Sequence, residues 1–200
     1  MKVSLTPADL IAFEDGIAQL FSEKKIRGPI HLSGGNEQQL IDVFENHVDE
    51  DDYVLSTWRS HYHCLLRGVP PEELTQAILD GRSISLSFPK HKVLSSAIVG
   101  GIAPIAVGLA MGIHYNGGKN KVVVFVGDMA AETGIFLESA KYAINWKLPV
   151  KWIVENNGKS GDTNTLIAWG GPTKLSDPSI LVYDYKLTRP HCGLEQWVSF

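Results

Sequence analysis

Asp128 stands where an apolar run, Val122 to Val126, meets the turn Gly127-Asp128-Met129-Ala130-Ala131-Glu132-Thr133-Gly134. A second apolar run, Val150 to Val154, ends in Glu155-Asn156-Asn157-Gly158. A carboxylate on one strand tip and a carboxamide on the other are hard oxygen donors, and a helix start beside them leaves backbone N–H groups free. That combination suits Mg2+ with a diphosphate, phosphate oxygens and water completing the octahedron. It also suits a turn acid and a pair of capping asparagines, and spacing alone leaves both open. GxGxxG and the Walker pattern are absent, which disfavours a Rossmann dinucleotide site or a nucleoside triphosphatase.

The elements that must carry these tips are legible from their periodicity. Thr6-Pro7-Ala8-Asp9 has a capping threonine, a proline at the first helical position and an acid three residues after the cap. Leu10, Phe13, Ile17, Leu20 and Phe21 continue one apolar face to about Lys25. A helix from Gln39 to Asn46, a strand over Asp51 to Ser56 and a helix from Pro70 to Leu79 follow. The polar, basic stretch from Gly81 to Ser96 reads as a loop facing substrate or partner, as does the ending Arg189 to Gly193. Ile98 to Ile113 is uncharged and reads as a buried helix preceded by a loop, with Ala106, Gly108, Ala110 and Gly112 admitting a close helix partner. Lys121 to Val126, a helix from Glu132 to Trp146 with Ile135, Phe136, Ala140 and Ala143 inward, and Val150 to Val154 form a βαβ unit. With a last β-like run over Ile180 to Leu187, the expectation is an α/β fold. Its sheet is mostly parallel with helices on both faces, in a single domain over 1–200 with a short C-terminal extension. Adjacent parallel strands set their tips side by side, which brings Asp128 and Asn157, 29 positions apart, to one ligand.

Composition narrows the partners. Eighteen basic and 22 acidic residues give a net charge of −4, with charges interspersed, so neither nucleic acid nor an anionic membrane surface is expected. The uncharged stretch from Ile98 to Ile113 is shorter than the roughly 20 residues that span a bilayer. The two cysteines, Cys64 and Cys192, fit neither a zinc spacing nor a disulfide framework, and with no export signal at the N-terminus the expected location is cytoplasmic.

Five segments in order make the reading specific: KKIRGPIHLSGGNEQ from Lys24, DDYVLSTWRSHYHCLLRGVPPEEL from Asp51, AIVGGIAPIAVGLAMG from Ala97, GDMAAETG from Gly127 and NWKLPVKWIVENNG from Asn145. Together, over about residues 8–165, they resemble the α subunit of the thiamine diphosphate-dependent 2-oxo acid dehydrogenase E1 component, within the transketolase-like superfamily. The resemblance implies an oxidoreductase subunit that uses thiamine diphosphate and Mg2+ on a small 2-oxo acid. A transketolase-like ketol or acyl transferase and a non-catalytic relative are the alternatives. It implies that Asp128, the Asn157 side chain and the Lys159 carbonyl bind the metal, and that Gly127 and Ala130 lie against the diphosphate. Arg59, following the aromatic Trp58, pairs with that diphosphate through its planar fork, and Val99, with Ile102 nearby, supports the aminopyrimidine. His31, in the family's H-L-x-x-G-x-E segment, is the catalytic candidate near the thiazolium; His61 and His63 flank the diphosphate side.

The chain also departs from the family. Met129 stands at the third position of the usual GDG triplet, Trp58 replaces a frequent tyrosine, and Ser85-Leu86-Ser87 replaces S-M-H. A TYR-x-HGHS-like loop is lacking. A φ > 0 requirement at Met129 would be costly without glycine. In this superfamily the glutamate that activates the cofactor lies on a separate pyrimidine-binding domain. The resemblance therefore implies a pyrimidine-binding, β-type partner subunit in an α2β2 heterotetramer, with the helix from Ala103 to Gly112 as a candidate contact.

Overall fold

The computed structural model describes residues 2–171 and 177–195, so the expected unit over 1–200 includes positions outside the described residues. Helix α1, Pro7–Ser22, begins as its sequence predicts: Thr6 Oγ1 accepts from the Asp9 amide while Asp9 caps the Thr6 N–H at 2.8 Å. Helix α2 spans Glu37–His47, and strand β1, Tyr53–Ser56, leads into the short helix α3, His61–Leu66. Helix α4, Pro71–Ala77, continues into a widened turn over Ile78–Arg82, where Gly81 takes φ 80°. Strands β2, Ser87–Phe88, and β3, Val93–Ser95, precede helix α5, Ile102–Tyr115. Then come strand β4, Val122–Gly127, helix α6, Asp128–Ala131, helix α7, Gly134–Asn145, and strand β5, Val150–Asn156. The hairpin β6, Lys159–Ser160, and β7, Thr163–Asn164, the helix α8, Thr165–Trp169, and strand β8, Ile180–Asp184, complete the described elements.

The main sheet runs β2-β3-β1-β4-β5-β8 and is parallel except for the β2–β3 pair, as the βαβ pattern predicts. Alternation along β4 divides the interior. Val123 and Phe125 join Leu10, Phe44 and Tyr62 under α1 to α4, while Val122, Val124 and Val126 pack with Trp152 under α5 and α7. The architecture is thus three layers, helix on sheet on helix.

Three local expectations need correction. The stretch read as a loop from Gly81 to Ser96 contains β3, whose Val93, Leu94 and Ser95 pair with Val54, Leu55 and Ser56 of β1. Three residues are too few for their period to show, and the flanking lysines masked them. Ile135, expected inward, is exposed, whereas Phe136, Ala140 and Ala143 are buried. Helix α5 buries one face only: Ile102, Ala103, Ala106, Ala110 and Ile113 face the core, while Ile105, Gly108 and Gly112 face outward. Its uncharged composition hid a stripe of period 3.6.

Candidate functional site

The strand order reverses beside β1: the chain crosses from β1 to β3 on one side and then to β4 on the other. The crevice outside the carboxyl ends of strands at such a reversal is where open α/β sheets hold ligands. Here it is a cleft of about 650 Å³ including its open mouth. Trp58 and Arg59 reach it from beyond β1, and Val99 from the turn before α5. Gly127, Asp128 and Ala130 come from the β4–α6 junction, Asn157 and Lys159 from beyond β5. A Cβ built at Gly127 would meet no atom within 4 Å, so glycine leaves that stretch of wall open.

Register explains why residues far apart in sequence meet. Gly127 pairs with Glu155 across the β4–β5 ladder, so Asp128 and Asn157 sit one and two residues beyond a shared rung. Asp128 is buried, and burial pushes its carboxyl up from the ordinary range. A hydrogen bond from Thr165 Oγ1 and the backbone N–H groups of Asp128, Asn157 and Met129 oppose that shift. Asn157 Oδ1 accepts the Lys159 amide at 2.9 Å, and its Nδ2 donates to the Tyr185 hydroxyl at 3.1 Å, so the carboxamide is held from both ends. A carboxylate and a carboxamide on adjoining strand ends present hard oxygen atoms to the cleft, the donor type that Mg2+ takes in preference to nitrogen or sulfur. Met129 lies inside α6 and is not among the residues with positive φ, so the third position of the triplet imposes no left-handed strain on it.

Arg59 is fixed by two donations, Nε to the Leu32 carbonyl at 3.1 Å and Nη2 to the His191 carbonyl at 2.9 Å. A guanidinium has five N–H donors, and among the described residues these two bonds engage two of them. Both acceptors are neutral carbonyls, and among the described residues its guanidinium makes no ion pair with a carboxylate, though its charge acts on Glu155.

His31 does not line the cleft. It lies behind Trp58, ring centroids 5.9 Å apart, and edge-on to His191 at 5.3 Å. Burial first, then Arg59, His191 and His61, lower its pKa to about 4, so the ring is neutral near pH 7. Its Nδ1 is buried and has no hydrogen-bond partner among the described residues. His191 does line the cleft, and burial followed by the Arg59 charge lowers its pKa as well. Of the two segments expected to face substrate or partner, Arg189 to Gly193 contributes His191 to the cleft wall, whereas no residue from 81 to 96 lines it. His61, His63 and Ile102 do not reach it either: all three are wholly buried. His61 lies between Glu14, at 3.0 Å, and Ser83, at 2.9 Å, and Ile102 belongs to the core under α5.

Several lining residues escaped the sequence reading. Asn36 precedes α2 as its cap, yet its side chain makes no capping bond; Nδ2 donates instead to Glu155 Oε1 and the Tyr183 hydroxyl, each at 3.1 Å. Tyr183 also donates to Glu155, and His63 lies 3.5 Å from its other oxygen. Burial works to raise the Glu155 carboxyl, but His63, Tyr183 and Arg59 outweigh it and leave it below the ordinary range. Ser33, Thr57, Met129, Ser160 and Tyr185 also line the wall. The signal for Asn36 and Tyr183 was available only as polar residues at element ends, which many loops share.

A parallel α/β sheet that gathers polar and charged side chains in a cleft at its reversal point has the architecture of a ligand-binding α/β protein. The chain belongs to the dehydrogenase E1 component family, whose model matches residues 8–165. It is 31% identical over 162 residues to the α subunit of acetoin:2,6-dichlorophenolindophenol oxidoreductase from Cupriavidus necator, covering 76% of this chain and 48% of that one. The Bacillus subtilis protein of the same name is 32% identical over 160 residues, 75% of this chain and 48% of its own. The mitochondrial pyruvate dehydrogenase E1 component subunit α of Dictyostelium discoideum is 34% identical over 146 residues, 69% of this chain and 38% of its own. The chain thus spans about half the length, or less, of these relatives. Among the described residues no helix is long and apolar enough to cross a membrane.

Proposed function

We propose that this chain is the diphosphate-binding part of an α-type subunit in a thiamine diphosphate- and Mg2+-dependent enzyme that decarboxylates a small 2-oxo acid. A pyrimidine-binding, β-type subunit completes the site. The observation that carries this is the shared rung of β4 and β5, which sets Asp128 beside Asn157 at the sheet's reversal point, within an E1-family chain. The Asp128 carboxylate, Asn157 Oδ1 and the Lys159 carbonyl are the metal's ligands from this chain. Arg59 offers its free N–H groups to the diphosphate, and the open wall at Gly127 admits it. When bound, thiamine diphosphate supplies the electron sink for breaking the bond between the carboxylate and the carbonyl carbon.

His191, at the wall, is the group from this chain placed to hold a proton near a substrate carbonyl. His31, neutral behind it, orients the Trp58 and His191 rings. This subdivision departs from the assignment of His31 as the catalytic histidine, because the lining ring is the one within reach of substrate.

A second reading follows from the two acetoin oxidoreductase relatives: cleavage of a 2-hydroxyketone in place of a 2-oxo acid. The experiment is calorimetric titration of thiamine diphosphate into the chain, alone and co-purified with its β-type subunit, with Mg2+ and again with EDTA. Metal-dependent binding that Asp128→Ala abolishes without loss of fold supports the site; unchanged affinity in that variant overturns it. Dye reduction with pyruvate or acetoin then separates the two substrate classes.

A further inference from the structure

The two strand tips that carry Asp128 and Asn157 are tied together by a residue outside both. The Thr165 amide donates to the Gly158 carbonyl at 3.0 Å, gripping the tip beyond β5, while its hydroxyl donates to Asp128 Oδ2 beyond β4. Thr165 opens α8 and is buried. Four residues on, Trp169 Nε1 donates to Met129 Sδ at 3.0 Å, so one short helix holds two members of the Gly127-Asp128-Met129 triplet. Asn164 fixes the start of that helix by accepting the Ile167 amide at 3.0 Å.

Asp128 also stands in a partition. It lines the cleft already described and a second, neighbouring one of about 790 Å³ including its mouth, which Thr165 and Phe136 line from the other side. Among the described residues no other lines both. A carboxylate in such a place can serve either cleft by turning about its side-chain torsions, and a hydrogen bond to one oxygen from the far side fixes which way the other faces.

We infer that Thr165 is a positioning residue that bridges the two strand tips and sets the aim and spacing of the Asp128 carboxylate against Asn157. Trp169 is the second anchor, seating Met129 where the triplet would otherwise carry a glycine. The inference rests on the reading of this cleft as a Mg2+–diphosphate site. Partners that orient a ligating carboxylate typically change metal affinity by about 10–100-fold when removed.

The test uses Mn2+ as the probe, its binding read by electron paramagnetic resonance in the presence of thiamine diphosphate on the full chain co-purified with its β-type subunit. Thr165→Val, which keeps the shape and removes the hydroxyl, is expected to weaken Mn2+ binding about 10–100-fold, and Thr165→Ser to restore it. A second measurement needs no metal: the carboxyl carbon-13 shift of Asp128 followed against pH. Loss of a donor that favours the charged form raises its titration midpoint in Thr165→Val and leaves it unchanged in Thr165→Ser. Wild-type affinity together with an unmoved midpoint in Thr165→Val overturns the bridge. If the wild-type protein binds no Mn2+, or Asp128→Asn binds it as well as wild type does, the metal-site reading fails; the midpoint then decides alone whether Thr165 holds the carboxylate.

Discussion

Half-buried against Trp58 and edge-on to His191, the His31 ring loses most of its proton affinity to desolvation and the rest to nearby positive charge. Its pKa falls from 6.5 unfolded to about 4 folded, so between those values the unfolded chain binds more protons. Stability is therefore full above pH 6.5 and declines as the pH drops towards 4. We expect the urea midpoint of the wild-type protein to fall across that window, and a smaller fall in His31→Asn, with the remainder assigned to His191; equal falls would remove His31 as the source. At this scale the sequence was legible where chemistry is fixed by an element's end. Asp128 and Asn157 could be proposed because strand tips are visible in an apolar run, whereas Arg59 was proposed only through the family resemblance. His191 was passed over because nothing in the local pattern of Arg189 to Gly193 says which strand it follows or what it covers. The same is true of Glu14, whose carboxylate sits on an otherwise apolar helix face and whose partners are 19 and 47 positions away.

Helix α1 meets the site through that carboxylate. Glu14 Oε1 accepts the Ser33 amide at 2.7 Å, in the loop that carries His31, and Oε2 meets His61 Nδ1 at 3.0 Å. His61 in turn reaches Ser83 at 2.9 Å, just past the widened turn that ends α4. One wholly buried acid thus ties α1, the loop before α2, α3 and the end of α4. Removing this carboxylate leaves the buried Ser33 amide and His61 Nδ1 without their acceptor or donor and costs about 1–3 kcal/mol for each group left unsatisfied. Glu14→Ala is expected to lose that much in equilibrium denaturation, while Lys25→Ala, whose partner Glu23 is exposed, stays within about 0.5 kcal/mol of wild type. A small loss in Glu14→Ala would show that the network is not what joins these elements. Long elements with strong caps and periods, α1, β4, α7 and β5, were readable to within a few residues. The three-residue β3 and the two faces of α5 were not, because a short strand is defined by its neighbours and a helix without charges has no polar stripe to mark its outside.

For the whole molecule, one surface is out of keeping with an isolated chain. Along α5 the outward stripe carries Ile105, Gly108, Gly112 and Tyr115 at spacings of three and four, and along α7 it carries Ile135, Tyr142 and Trp146 at seven and four. Both helices cover the same face of the sheet and pack on each other, so the stripes make adjoining apolar ground, and exposed Ile98 and Val99 extend it to the lip of the cleft. Apolar ground continuous with the cleft is where the proposed second subunit would contribute its share of the site, and small residues at Gly108 and Gly112 permit close helix approach. We expect Ile105→Asp, which touches neither core nor cleft, to leave the fold and its denaturation midpoint near wild type. Its association with the β-type subunit should weaken by about 2 kcal/mol or more, seen as dissociation in sedimentation velocity at concentrations where the wild-type assembly holds. If cofactor binding needs that subunit, the same variant loses thiamine diphosphate affinity at low protein concentration and recovers it at high concentration, a dependence that damage within the cleft itself would not show. An assembly indifferent to Ile105→Asp would place the partner on another surface.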